Sequence, residues 1–194
     1  MVIATEGASK TPMHNEAPDN PNMYTRLISL LDGRGARYRV VDHAPEGRTD
    51  LVSVMRVNDA KDAAKCMVLI VKIGKRTTKY VSAVIPGDRR LVTAMKNIFG
   101  ATYVSFASPE IAQRLAGSVP GTILPFSFTP ELEFIADPSL RSSENLYFNA
   151  ARLDRSIALN TEDYSTLRRH ALSRSWGAAH DDKQGALSGT QDRS

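Results

Sequence analysis

The chain has 194 residues, 42% of them hydrophobic and 24% charged, with 25 Lys and Arg against 21 Asp and Glu for a formal net charge of +4. One globular domain of this size removes roughly two-thirds of its unfolded surface from water, so a core without disulfides is affordable and a mini-protein is excluded. Cys66 is the single cysteine, which excludes an intramolecular disulfide and fits a reducing compartment.

Residues 1–20 mix Gly, Ser, Thr, Pro, Asn and acids without apolar periodicity, and residues 173–194 do the same, so both ends read as disordered tails around a folded unit of residues 21–172. The N-terminus has neither a basic n-region nor a long apolar stretch, and nothing approaches the roughly 20 apolar residues of a membrane span, so a cytoplasmic protein without a membrane partner is expected.

Within the unit, Met23, Leu27, Leu30 and Leu31 fall at helical spacing and Asp32-Gly33-Arg34-Gly35 stops the helix. Tyr38 to Asp42 reads as a strand. Thr49 to Val57 reads as a helix with Thr49 as N-cap and Leu51, Val52 and Met55 on its apolar side. Cys66 to Val71 and Tyr80 to Ile85, joined through Gly74-Lys75-Arg76, form a β-hairpin apolar enough on both faces to lie mid-sheet. Arg89 to Phe99 is expected helical and Tyr103 to Phe106 extended. Ser108-Pro109 opens a further helix with Ser108 as N-cap and Pro109 in its first turn. Gly117 to Pro125 is a Gly/Pro loop. Strands follow near Glu133 to Ile135, Leu146 to Asn149 and Ser156 to Leu159, and a last helix begins at Thr161 with Glu162 and Asp163 favouring its dipole. The interleaving predicts a single α/β domain of the α+β type, with a central, largely antiparallel or mixed sheet flanked by helices.

Common catalytic constellations are absent. His14, His43, His170 and His180 show none of the close spacings of metal motifs, and no serine-hydrolase elbow, phosphate loop or dinucleotide fingerprint occurs, so neither metal nor cofactor is expected. Cys66 opens a very apolar strand and reads as an inert thiol rather than a thiolate. Lys65 stands where a helical segment gives way to the central strand, a place from which a lysine can hold a phosphate or an oxyanion, or simply face water. The loop from Gly117 to Phe126 has a backbone path whose N–H groups can point at a substrate carbonyl, or is a plain surface loop.

Ala-Lys-Cys-Met-Val-Leu-Ile at 64–70, Val-Pro-Gly-Thr-Ile-Leu-Pro-Phe at 119–126 and Leu-Tyr-Phe-Asn-Ala-Ala-Arg-Leu-Asp-Arg-Ser-Ile-Ala-Leu at 146–159 together resemble the YbaK/prolyl-tRNA-synthetase-associated editing domain family, over nearly the whole folded unit. The family's central-strand lysine and G-x-x-x-P loop look like Lys65 and Gly121 to Pro125. Its early His-Pro element is similar to Asp42-His43-Ala44-Pro45, and its Ser-Ala-Gly segment to Asn149-Ala150-Ala151. Thr122, Ser127 and Asn149-Ala150-Ala151 depart from the usual smaller residues, on what the resemblance makes a pocket wall.

The resemblance implies hydrolysis of the ester joining an amino acid to the terminal adenosine of a mischarged tRNA, by water assisted by the vicinal ribose hydroxyl. It implies that Lys65 and the backbone N–H groups of Gly121, Thr122 and Ile123 are catalytic, and that His43, Gly117, Pro125, Phe126 and Asn149 bind substrate. The implied partners are the aminoacylated acceptor end of tRNA and an aminoacyl-tRNA synthetase. A non-catalytic tRNA- or synthetase-binding module is the alternative, and a hydrolase of another small acyl ester a third reading.

Charge sharpens the tRNA expectation. Residues 21–172 hold 21 bases against 15 acids, and the stretch from Lys61 to Lys96 holds nine bases against two acids. A charge run is often only a solvated face, but this one includes the hairpin tip, and Lys72, Lys75, Arg76 and Lys79 are expected to follow the tRNA backbone.

Overall fold

The computed structural model describes residues 21–89 and 99–173. The tails and the helix expected over Arg89 to Phe99 fall on, or almost wholly on, residues outside this range. In chain order the elements are α1 (Pro21–Asp32), β1 (Tyr38–Asp42), α2 (Thr49–Arg56), a 3-10 turn (Ala60–Asp62), β2 (Ala64–Ile73), β3 (Thr77–Pro86), β4 (Tyr103–Phe106) and α3 (Pro109–Ala116). They continue with β5 (Leu132–Ala136), a second 3-10 turn (Pro138–Ser142), β6 (Asn145–Asn149), β7 (Arg155–Asn160) and α4 (Thr161–Ser173). No helix among the described residues is long and apolar enough to cross a membrane.

The strands form two sheets. Antiparallel β1-β7-β6 makes one, and β4-β2-β3-β5 the other, with the β2/β3 hairpin at its centre and β5 joined parallel to β3. The hairpin's two apolar faces explain its central place, because neighbouring layers cover both. Val68 packs with Ala112 and Leu115 of α3, whereas Leu69 and Val71 belong to a cluster with Val81, Ala83 and Ile135 on the opposite side. A parallel bridge between Ala63 and Tyr147 links the sheets where β2 begins and β6 ends. The main core lies against the three-stranded sheet, where Leu27 and Leu31 of α1 meet Phe148, Ile157 and Leu159 and, from α4, Tyr164 and Leu167.

Two local details differ from the sequence reading. Thr49 is the first residue of α2 rather than its cap; Arg48 holds the cap position without a side-chain hydrogen bond. The buried side of α2 carries Val52, Ser53 and Arg56, while Leu51 and Met55 are exposed. The cap of α3 is as read, with Ser108 Oγ accepting from Ile111 N and Gly117 ending the helix at φ +72°.

Candidate active site

A cleft of about 340 Å³, its open mouth included, lies at the junction of the sheets, lined among others by Gly47, Arg56, Cys66, Gly121, Ile123 and Asn149. Each wall has a local cause. The first turn of α2 follows a tight bend in which Glu46 Oε1 accepts from the N–H groups of Gly47 and Arg48, both at 2.8 Å. The loop after α3 is pinned at its far end by Phe126, whose ring stands edge-on to Phe128, Phe148 and Tyr164 at centroid distances of 6.5, 6.1 and 5.5 Å. Its near end approaches the 45–47 bend at Gly121, which takes φ +91°.

Asn149 clasps the two loops. Its Nδ2 donates to Glu46 O and to Gly121 O, both at 2.9 Å, which fixes Oδ1 as the acceptor of the Ser156 hydroxyl, also at 2.9 Å. His43 Nε2 lies 2.7 Å from Ser156 Oγ and its Nδ1 2.8 Å from Ala44 O, so the ring reaches the cleft through Ser156. Arg56 Nη1 donates to the same oxygen at 3.2 Å.

The residues singled out in the sequence are thus divided. Gly121, Ile123 and Asn149 line the cleft together. Gly121 and Ile123 are the cleft-lining residues of this loop, their amides carry no hydrogen bond among the described residues, and a carbonyl oxygen in the cleft would meet donors of this kind. Thr122 is not presented there: its N–H donates to Val119 O at 3.0 Å, its Oγ1 donates to the same carbonyl at 2.8 Å, and its side chain is fully buried. Pro125 and Phe126 are buried and anchor the loop rather than face the cleft, and Gly117 serves as the left-handed end of α3. Asn149 has both amide hydrogens committed, so it positions the loops. Lys65 lies between Ala64 and Cys66, which line the cleft, and strand alternation turns it to the other face, where its Nζ donates to Arg89 O at 2.7 Å. Burial pushes the Cys66 thiol well above its ordinary range, in keeping with an inert thiol.

Of the departures from the family pattern, Asn149 lines the cleft, whereas Thr122, Ser127 and Ala151 lie off its wall. Ser127 is buried with its Oγ 2.9 and 2.8 Å from the carbonyls of Thr129 and Leu132, and Ala151 turns the β6–β7 connection at φ +59°. In the basic stretch, Lys79 is ion-paired to Glu133 at 2.6 Å and Lys72 lies 5.6 Å from the Tyr103 ring centre, whereas Lys75 and Arg76 are exposed at the hairpin tip. The tip is roughly 23 Å along β2 from Cys66 at the ordinary strand rise.

Arg56 is the functional candidate that sequence reasoning missed. It is only 6% exposed, lines the cleft, and is joined by no carboxylate among the described residues. Desolvation pushes its pKa down to about 10. A signal was available: Arg56 follows Val52 by four residues and so shares its buried helix face.

Comparison with known proteins agrees with the fold. The family profile described as aminoacyl-tRNA editing domain matches residues 49–167, which include the cleft-lining residues other than Gly47. The chain is 38% identical over 151 residues to the Multifunctional Ser/Thr-tRNA deacylase ProXp-y of Escherichia coli K12, covering 77% of this chain and 90% of that protein, and matches the Escherichia coli O157:H7 counterpart equally. Among solved structures, a hypothetical protein superposes with a TM-score of 0.64 at 19% identity, over 73% of this chain and 93% of that one. Another, put forward as a trans-editing enzyme for prolyl tRNA synthetase, superposes with a TM-score of 0.62 at 18% identity, over 79% and 93%. The chain belongs to the aminoacyl-tRNA editing domain family.

Proposed function

We propose that this protein is a trans-acting aminoacyl-tRNA deacylase, hydrolysing the ester between an amino acid and the terminal adenosine of a mischarged tRNA. The observation that carries the reading is the pair of uncommitted amides, Gly121 and Ile123, on the wall of a cleft lined, but for Gly47, by residues within the editing-family match. An aminoacyl ester is an activated acyl group, so positioning and charge stabilisation can supply much of the catalysis.

In the reaction, a water oxygen attacks the ester carbonyl carbon while the vicinal ribose hydroxyl assists removal of the water's proton. Negative charge gathers on the former carbonyl oxygen, where the two amides donate. The bond between that carbon and the ribose oxygen then breaks, the ribose oxygen is protonated, and free amino acid and a tRNA with both terminal hydroxyls leave. A single donor of this kind is worth on the order of a hundredfold or more in rate. Asn149 keeps the Gly121 peptide in place through its carbonyl.

Lys65 enters this mechanism on the family resemblance alone, as the group that orders the attacking water, which requires its side chain to leave the Arg89 carbonyl and turn to the cleft face of β2. A synthetase as partner rests on the family resemblance. Because the Escherichia coli relative is a Ser/Thr-tRNA deacylase, seryl and threonyl esters head the panel of mischarged tRNAs that tests the proposal. Release of amino acid from at least one ester, lost in Gly121→Ala, supports deacylation. Tight tRNA binding with no turnover on any ester points to a non-catalytic module, and full activity in Lys65→Ala removes the lysine from the mechanism.

A further inference from the structure

Several exposed arginines of this protein are paired with carboxylates, while the nearly buried Arg56 is paired with none among the described residues. On the surface, where an unpaired guanidinium costs little, Arg37 meets Asp163 and Glu162, Arg48 meets Asp50 and Arg155 meets Asp42. Arg56, nearly removed from water at the end of α2, has no such partner among the described residues. Its contacts are one hydrogen bond from Nη1 to Ser156 Oγ and the face of the Tyr147 ring, 5.9 Å from the guanidinium carbon. Its buried Nε has no acceptor among the described residues. An uncompensated buried charge is among the costlier features a fold can carry, and this one lines the cleft.

The cleft narrows what would compensate it. Its described lining contains no carboxylate, so the positive corner at Arg56 repels the α-ammonium of an aminoacyl group and attracts an anion. A guanidinium matches a phosphate by geometry as well as charge, offering a planar fork of donors to paired oxygens. The acceptor end of a tRNA brings one permanent anion close to the scissile ester, the phosphate on the 5′ side of the terminal adenosine. The developing oxyanion has other donors, the amides of Gly121 and Ile123.

We propose that Arg56 is a substrate-binding residue of the cleft, its buried, carboxylate-free guanidinium taking the phosphate oxygens of the terminal nucleotide; the assignment of that nucleotide rests on the deacylase reading above. Binding there is also connected to the loop that faces the ester. Arg56 donates to Ser156 Oγ, the Ser156 hydroxyl donates to Asn149 Oδ1, and Asn149 Nδ2 donates to Gly121 O. A phosphate that draws on the guanidinium therefore acts on the same chain of hydrogen bonds that sets the Gly121 peptide.

The probes are adenosine 5′-monophosphate, adenosine and inorganic phosphate, each titrated against the full chain by NMR so that millimolar affinities are read. The wild type is expected to bind the monophosphate at least tenfold more tightly than adenosine. Arg56→Gln is expected to reduce that preference to within twofold, and Arg56→Lys to keep part of it. In deacylation the Gln variant is expected to raise KM about tenfold with a smaller change in kcat. A wild type that does not distinguish monophosphate from adenosine overturns the proposal without recourse to any variant. So does an Arg56→Gln protein that keeps the preference. A kcat loss with KM and preference unchanged overturns it too and moves the charge to the oxyanion. Inorganic phosphate binding as tightly as the monophosphate overturns the nucleotide assignment. Should the wild type release no amino acid from any ester, the deacylase reading fails, and the nucleotide titrations still decide whether Arg56 takes a phosphate.

Discussion

Gly47 and Gly121 touch backbone to backbone across the cleft's rim: a Cβ built on Gly121 would stand 2.7 Å from Gly47 Cα and 2.8 Å from Gly47 O. Gly121 also holds φ +91°, a region that side chains rarely enter. Gly121→Ala therefore must part the two loops and disturb the backbone of the cleft wall. It is expected to lower deacylation by about a hundredfold or more, the scale of a lost oxyanion donor. Gly47→Ala meets chiefly the flexible end of Leu153, at 3.2 Å, and is expected to be milder. Kinetics of the two variants side by side check the order; equal losses would mean that the contact itself is not what matters.

Thr122 sits in the same loop yet has no route to the substrate. Its hydroxyl and its amide both donate to Val119 O, and the side chain is sealed from water. Thr122→Val keeps the shape and removes one of two donors to that carbonyl, so it is expected to cost about 1 kcal/mol in stability. Deacylation is expected to stay within about twofold of wild type. Thermal unfolding and a single-turnover assay separate the two effects, and a tenfold loss of rate would return Thr122 to the chemistry.

The line between what was legible in the sequence and what was not follows the range of the interactions. The β2/β3 hairpin, the Ser108-Pro109 helix start and the last helix at Thr161 are written in neighbouring residues. The division into two sheets is not, since it depends on β5 pairing parallel with β3 and on the Ala63–Tyr147 bridge, contacts between segments far apart in sequence. In the site, the motif Gly121 to Pro125 located the right loop. That the Thr122 amide is committed was decided by the Val119–Thr122 turn, whose hydrogen bonds have no sequence periodicity to announce them. Lys65 was read from its place at a strand start; the pleat, which puts Ala64 and Cys66 in the cleft, turns it the other way. Arg56 was overlooked because an arginine near a helix C-terminus ordinarily favours the dipole from the surface.

Burial of Arg56 also has a consequence for stability. Its pKa is lowered to about 10 in the folded protein, well below the ordinary value of an exposed arginine. Between those values the unfolded chain binds more protons than the folded one, so this group makes stability rise with pH through that window and is a burden below it. Arg56→Met removes the burden and is expected to raise Tm at neutral pH by about 2–4 °C, the shift that accompanies about 1 kcal/mol in a chain of this size. The advantage is expected to shrink as pH rises above about 10. Urea unfolding of both proteins at pH 7 and at pH 10.5 tests the sign; a variant less stable at pH 7 would show that the guanidinium's contacts outweigh its desolvation.

Helix α2 ends with Val57 at φ +56°, ψ +48°, while the N–H groups of Val57 and Asn58 return to Val54 O and Ser53 O. Glycine ordinarily fills this left-handed position, and a β-branched residue there is strained by about 1–2 kcal/mol. Val57 is 91% exposed, so its side chain contributes little packing in exchange. Val57→Gly and Val57→Asn are both expected to raise Tm by a few degrees, Asn without the added freedom that glycine gives the unfolded chain. A lower Tm in both would mean that α2 does not end in this geometry.

Among the described residues of the basic stretch, those of the hairpin tip are well placed to meet a long polyanion. Lys75 and Arg76 are exposed there, while Lys79 is held by Glu133. Each phosphate they neutralise releases condensed counterion, so Lys75→Gln with Arg76→Gln is expected to weaken tRNA binding and to reduce the slope of log affinity against log salt by about 2. Because the tip is roughly 23 Å from Cys66 along β2, hydrolysis of a minimal aminoacyl-adenosine substrate is expected to be unchanged in the same variant. Binding of full-length tRNA across a salt series, set beside turnover of the minimal substrate, separates a backbone footprint from a role in the cleft. An unaltered slope would return Lys75 and Arg76 to ordinary solvation.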